Sequence, residues 1–154
     1  MTRINIVPTK LLTDQHLVAE YREITMVAAS LRRSLRITDE LSIPHRYCLG
    51  KGHISFFYDK GQYLNIRYDL LVNEMLKRGM NPNADRTFPL SAFPLHLRGD
   101  WRPDIHDVVV IQSRISEKIA QKPHWYRYKG ASLITGSRAA TAYRVLWQQF
   151  LLEL

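Results

Sequence analysis

Residues 14–36 read DQHLVAEYREITMVAASLRRSLR, and this stretch decides the fold. Leu17, Tyr21, Ile24, Ala28, Leu31 and Leu35 recur at steps of three and four, which puts them on one face of a helix. Neither proline nor glycine interrupts the run, and Thr13 or Asp14 stands where an N-cap should accept the first free N–H groups. The pattern predicts a single helix over residues 14–36. Gln15, Ala19, Arg22, Met26 and Arg33 line up almost opposite the apolar face, while His16 and Glu23 share the flank between. Arg22 and Glu23 therefore meet at the border of core and solvent, with Gln15 and His16 one or two turns earlier. Such a pair is either a solvated charge pair or a site where a cation keeps a carboxylate ionised.

Outward from this helix the chain alternates helical and irregular stretches. Pro44, Gly50 and Gly52 make residues 37–53 a connector. A second helix is predicted over residues 62–78, with Leu64, Tyr68, Leu71, Val72 and Met75 as its stripe and Gly79 just past its last turn. Residues 81–102 carry Pro82, Pro89 and Pro94 and read as a long loop. A third helix should open near Pro103 or Asp104 and run to Gln121, presenting Ile105, Val108, Val109, Gln112, Ile115 and Ile119, although the run VVVI also fits a strand. The stretch KPHWYRYKG reads as extended or turn-like, and residues 136–154 as an amphipathic helix. The expectation is an all-α fold: one compact domain of about three main helices with an added C-terminal helix.

The 154 residues suit one domain with one core. Lys plus Arg number 22 against 14 Asp plus Glu, a formal charge of +8 that makes a polyanionic partner plausible. After Gly130 only Arg138, Arg144 and Glu153 are charged, which leaves +7 in residues 1–130. No apolar run approaches the roughly 20 residues of a membrane helix. The opening MTRINIVPTK lacks the apolar core of a signal peptide, so a cytoplasmic protein is expected, nucleoid-associated if the cell is bacterial. The lone Cys48 excludes an internal disulfide and a Cys-rich zinc module. The histidines fall without metal-site spacing, GKGHIS lacks the third glycine and preceding strand of a dinucleotide loop, and no GxSxG elbow occurs.

Three features could carry chemistry besides the Arg22 and Glu23 pair. Arg114 and Lys118, four apart, project away from the stripe of the third helix and would serve as a phosphate clamp or simply as a solvated face. Trp125, Tyr126 and Tyr128, interleaved with Arg127 and Lys129, suit base stacking and backbone contact, or equally a cap on the core. Residue 2 is Thr, small enough for the initiator methionine to be removed. That would free an α-amine with a pKa of about 8, hence partly neutral and nucleophilic toward carbonyl-like carbons such as C1′ of a deoxyribose.

TRIN at residues 2–5, DQHLVAEYRE at 14–23, GKGHISFFYDKG at 50–61, LKRGMN at 76–81 and SRISEKIAQKPHWYRYKG at 113–130 together resemble the pyrimidine-dimer DNA glycosylase/AP lyase family of the phage endonuclease V type. The resemblance covers about residues 2–130 in the expected order. It implies an all-α fold whose amino-terminal segment threads between helices to the active site, with residues 131–154 as an extension. It implies that the Thr2 amine attacks C1′ of the damaged nucleotide and forms an imine as the glycosidic bond breaks. Glu23 is then the carboxylate that stabilises the cationic sugar and assists β-elimination, and Arg22 the cation beside it. Arg3, Gln15, His16 and Tyr21 match positions in or near the site, while Arg114, Lys118 and Trp125, with Tyr126, match the more distant DNA-binding surface. The implied partner is damaged double-stranded DNA, bound by a monomer that flips a base and needs neither metal nor organic cofactor.

Two departures bear on specificity. Where the family's best-known form has YREL followed by Pro and Arg, this chain has Ile24, Thr25 and Met26, and Lys129 stands where a further aromatic is found. Met26 removes a cation from the line shared by Gln15 and Arg22. The Thr2 and Glu23 chemistry is thus retained more fully than the recognition of dimers. Beside a dimer-excising enzyme stand an AP lyase without dimer glycosylase activity and a non-catalytic duplex-binding protein on the same scaffold.

Overall fold

The computed structural model describes residues 4–154, and the residues group into two compact units. The first holds residues 4–5 and Ala19–Arg102; the second holds Ile6–Val18 and Pro103–Leu154. Helices dominate both, as expected of an all-α fold, and the described strands form one two-residue hairpin. No helix among the described residues is long and apolar enough to cross a membrane.

The predicted helix over 14–36 is two helices, α1 (Asp14–Glu23) and α2 (Thr25–Leu35), with a break at Ile24. Thr13 does cap α1: its Oγ1 accepts the His16 N–H at 3.1 Å. The break has no proline or glycine behind it. The Arg86 guanidinium enters the backbone ladder instead, Nη2 donating to the Arg22 carbonyl at 2.6 Å and to Thr25 Oγ1 at 2.8 Å. Ile24 keeps helical dihedrals, φ −58° and ψ −34°, so what is interrupted is the hydrogen-bond ladder.

In the first unit, α2 packs on the short helix α3 (His53–Phe56) and on the 3-10 turn Leu90–Ala92, which also meets α4 (Gly61–Lys77). Ile24, Val27, Ala28, Leu31, Phe56, Phe57, Leu64, Leu71 and Phe93 are buried there. Helix α4 ends as its sequence predicts, with Gly79 in the left-handed region at φ 76°. Gly99 is required by contact: a Cβ there would stand 2.6 Å from the Asp59 carbonyl oxygen, whose bond from the Gly99 N–H fixes the loop before α4.

In the second unit, α5 (Ile105–Gln121) opens on a reciprocal capping box, Asp104 accepting from Asp107 N and Asp107 from Asp104 N, both at 2.9 Å. Its buried side chains are Val108, Ile111 and Ile115, whereas Ile105 and Val109, expected on the stripe, are exposed. Strands β1 (Arg127–Tyr128) and β2 (Ala131–Ser132) pair antiparallel, Arg127 opposite Ser132 and Tyr128 opposite Ala131. Lys129 and Gly130 turn the hairpin with φ of 49° and 82°, the positive pair a two-residue turn demands. The Asp14 carboxylate offsets the cost of holding a lysine there by accepting both turn N–H groups, at 3.0 and 2.8 Å. The last helix, α6 (Arg138–Leu152), buries Tyr143 and Trp147, and the Tyr143 hydroxyl donates to the Leu11 carbonyl at 2.6 Å.

Candidate active site

Thr2 and Arg3 lie outside the described residues. The chain just after them is held firmly. Ile4 and Asn5 are buried, and the Ile4 N–H donates to His53 Nε2 at 2.8 Å while Tyr47 Oη donates to the Ile4 carbonyl at 2.9 Å. Because His53 Nε2 accepts, its proton sits on Nδ1, which then donates to the Cys48 carbonyl at 2.8 Å. Asn5 reaches Glu20 twice, through its N–H at 2.9 Å and its side-chain amide at 2.8 Å.

Glu20 is the centre of this web. Its carboxylate, 0% exposed, also takes the Arg67 guanidinium edge-on, Nε at 2.6 Å and Nη2 at 3.1 Å. Burial alone would pull the Arg67 guanidinium down; Glu20 first, then Tyr63, carry it above its ordinary range. Burial likewise pushes the Tyr63 phenol up. Sequence reading missed the pair although a signal was present. Glu20 falls between Leu17 and Ile24 on the apolar face of α1, and Arg67 between Leu64 and Leu71 on that of α4. A charge at a core position needs a buried partner of opposite sign. Asn5, Tyr47 and His53 offered no comparable pattern.

One turn along, α1 presents a different edge. Tyr21 is buried, stacked on Tyr68 with centroids 5.7 Å apart, and its hydroxyl accepts the Asn83 N–H at 3.0 Å. The Arg86 guanidinium lies 4.8 Å over the Tyr21 ring. Tyr21 thus anchors the loop after α4. Arg22 is exposed and Glu23 half-buried, and neither side chain has a hydrogen-bonding or ionic partner among the described residues. Met26, 52% exposed, adds an apolar surface where the family resemblance places a cation. A cleft of about 460 Å³ opens beside this edge, lined by Tyr68, Asn83, Arg86 and Phe88 among others.

The other predicted residues belong to the second unit. Gln15 spends its amide on the aromatic segment, donating to the Trp125 carbonyl at 2.8 Å and accepting the Arg127 N–H at 2.8 Å. His16 stacks on Tyr126 at 4.8 Å and 17° and shares a 2.7 Å hydrogen bond with Thr13 Oγ1. Burial raises the Tyr126 phenol, and Arg114 opposes that shift. Trp125 is 62% exposed, a large aromatic face open to a stacking partner. Arg114 makes a long 3.4 Å contact with Glu117, and Lys118 has no partner among the described residues. Gln15, His16, Trp125 and Tyr126 thus form one connected group. Asp104, His106 and Asp107 bring ligand atoms within 4.8 Å of one another, yet both carboxylates are engaged in the capping box that starts α5.

A saturated web thus ties Ile4 and Asn5 to the interior, and three residues beyond Glu20 the Glu23 carboxylate is left open. A family model described as pyrimidine dimer DNA glycosylase matches residues 1–88, the stretch that holds Glu20, Arg22, Glu23, Arg67 and Arg86. The match spans more than half of the sequence, and the chain therefore belongs to the pyrimidine dimer DNA glycosylase family of DNA repair enzymes.

Proposed function

We propose that the protein is a bifunctional DNA glycosylase and AP lyase whose nucleophile is the α-amine of Thr2, exposed once Met1 is removed. The neutral amine attacks C1′ of the damaged nucleotide. The C1′–N bond breaks and the pyrimidine leaves with the electron pair and a proton. Loss of the amine proton and opening of the sugar give an imine between Thr2 and C1′. Removal of a C2′ proton then expels the 3′ phosphate by β-elimination, and water hydrolyses the imine. Glu23 stabilises the cationic sugar and moves the proton at C2′, and Arg22 meets the phosphate beside it. Family membership supports the glycosylase step.

The observation that carries the active-site assignment is Glu23 itself: half-buried, beside an exposed arginine, and without a partner among the described residues. The anchoring of Ile4 and Asn5 supports the role of Thr2, since a nucleophile two residues from Ile4 needs a fixed tether. Arg3 and Tyr21 contribute to the same end of the duplex. Arg114, Lys118, Trp125 and Tyr126, with Gln15 and His16 behind them, supply phosphate and base contacts. Residues 1–130 act as the catalytic domain in this reading, and residues 131–154 add a helix that closes over Leu11.

Incubating the protein with ultraviolet-irradiated duplex and with duplex carrying a preformed abasic site tests the proposal. Both should be nicked with a β-elimination end, and both reactions should be lost in Glu23→Gln. The exposed Met26 favours a second reading, an AP lyase that no longer excises dimers. Nicking of the abasic duplex alone selects it. Binding without nicking of either rejects both.

A further inference from the structure

Residues 22–26, REITM, contain nothing that stops a helix, yet α1 ends at Glu23 and α2 begins at Thr25. The break coincides with the bond from Arg86 Nη2 to the Arg22 carbonyl. In an uninterrupted helix that carbonyl takes the N–H four residues on. A guanidinium is a stronger competitor than an amide because its bond is charge-assisted and lies at the negative end of the α1 dipole. The second bond, to Thr25 Oγ1, ties the same nitrogen to the first residue of α2.

Arg86 reaches this point from a loop fixed on both sides. Its own carbonyl accepts from the Tyr68 hydroxyl at 3.0 Å, its N–H donates to Asn83 O at 3.1 Å, and Asn83 N is held by Tyr21 Oη at 3.0 Å. Tyr21 and Tyr68 are stacked on one another, and the guanidinium lies on Tyr21. The wedge is built before any substrate arrives. What it shapes is the last turn of α1, the turn that carries Arg22 and Glu23.

We infer that Arg86 is a positioning residue: by binding the Arg22 carbonyl and Thr25 Oγ1 it braces the last turn of α1 and so holds Arg22 and Glu23 in place for the substrate. This rests on the reading of Glu23 as the site's carboxylate. Displacing a reacting group by about 1 Å from a remote position lowers rates by as much as 10²-fold, so small changes in this turn should be visible in turnover.

The test compares wild type with Arg86→Ala in three measurements. One is the single-turnover rate of strand cleavage at a preformed abasic site under saturating enzyme. The next is the salt dependence of duplex binding, and the last is the backbone chemical shifts of residues 22–27. A rate lowered about 10- to 100-fold is expected, with an unchanged salt slope and backbone shifts displaced across residues 22–27. Ethylguanidinium should restore much of the rate, and tetramethylammonium at equal ionic strength should not. An unchanged rate, or shifts at residues 22–27 that match those of wild type, overturns the inference. A salt slope shallower by about one with no rescue also overturns it, because it makes Arg86 a phosphate contact instead. If Arg86→Ala does not fold, Arg86→Lys replaces it, with a smaller loss and the same readouts. If wild type itself fails to cleave, the proposed function falls, while the shifts at 22–27 still decide whether Arg86 braces the turn.

Discussion

Glu20 and Glu23 are three residues apart on α1 and live in opposite worlds. Glu20 is fully enclosed, with four hydrogen bonds from Asn5 and Arg67. Glu23 is half-buried and meets no partner among the described residues. The first arrangement gains order and loses reactivity: a carboxylate so enclosed is out of a substrate's reach. The second keeps its lone pairs at the cost of contributing little to folding. One helix thus carries a carboxylate that builds the scaffold and another that, in the function proposed, the scaffold presents to the substrate.

Substitution should separate them. Glu23→Gln is expected to lower abasic-site cleavage by roughly 10²- to 10⁴-fold, while the denaturant midpoint moves by no more than about 0.5 kcal/mol equivalent. A large loss of stability would place Glu23 with Glu20. Conversely, Glu20→Gln leaves the Arg67 guanidinium buried without its counter-charge and should cost about 3–5 kcal/mol in urea unfolding. A neutral effect would show the pair to be ornamental. The double variant Glu20→Gln with Arg67→Met removes both charges, keeps an acceptor for Asn5, and should recover most of that loss, to within about 1–2 kcal/mol of wild type. Failure to recover would mean that the hydrogen bonds, not the charge balance, hold the web.

The weakest effect concerns the aromatic shell behind the open edge. Burial, with the Tyr21 hydroxyl adding to it, pushes the Tyr68 phenol up to about 12. The unfolded chain ionises that phenol near its ordinary value of about 10. The folded state therefore holds the proton that the unfolded state has lost, and this group's share of stability is complete below pH 10 and declines as pH rises toward 12. Tyr68→Phe should flatten the alkaline fall in the unfolding midpoint between those limits. An unchanged alkaline profile would assign the fall to other groups.

Much of this molecule was legible in its sequence. The 3.6-residue period of α4, the left-handed Gly79 after it and the capped start of α5 follow from local rules, and each lies where the pattern put it. The interruption around Ile24 does not, because the group that binds the Arg22 carbonyl there comes from residue 86, over sixty positions away. Ile105 and Val109 show the same limit: periodicity marks a stripe, but only packing decides which of its edges is covered. At the site, Arg22 and Glu23 were visible as a charge pair on a border, and the Glu20–Arg67 pair could have been found from two opposite charges on two apolar faces. Gln15 was visible as a polar residue on the line shared with Arg22. Its use as a clamp on the backbone around Trp125 needed the hairpin to be seen.

The most direct test of the central claim is chemical trapping of the intermediate. Borohydride added to the protein and an abasic-site duplex should give a covalent adduct whose cross-linked peptide, by mass spectrometry, begins at Thr2. Glu23→Gln should slow its conversion to nicked product, and blocking the α-amine should abolish the adduct. An adduct on a lysine, or none from protein verified to begin at Thr2, would contradict the account.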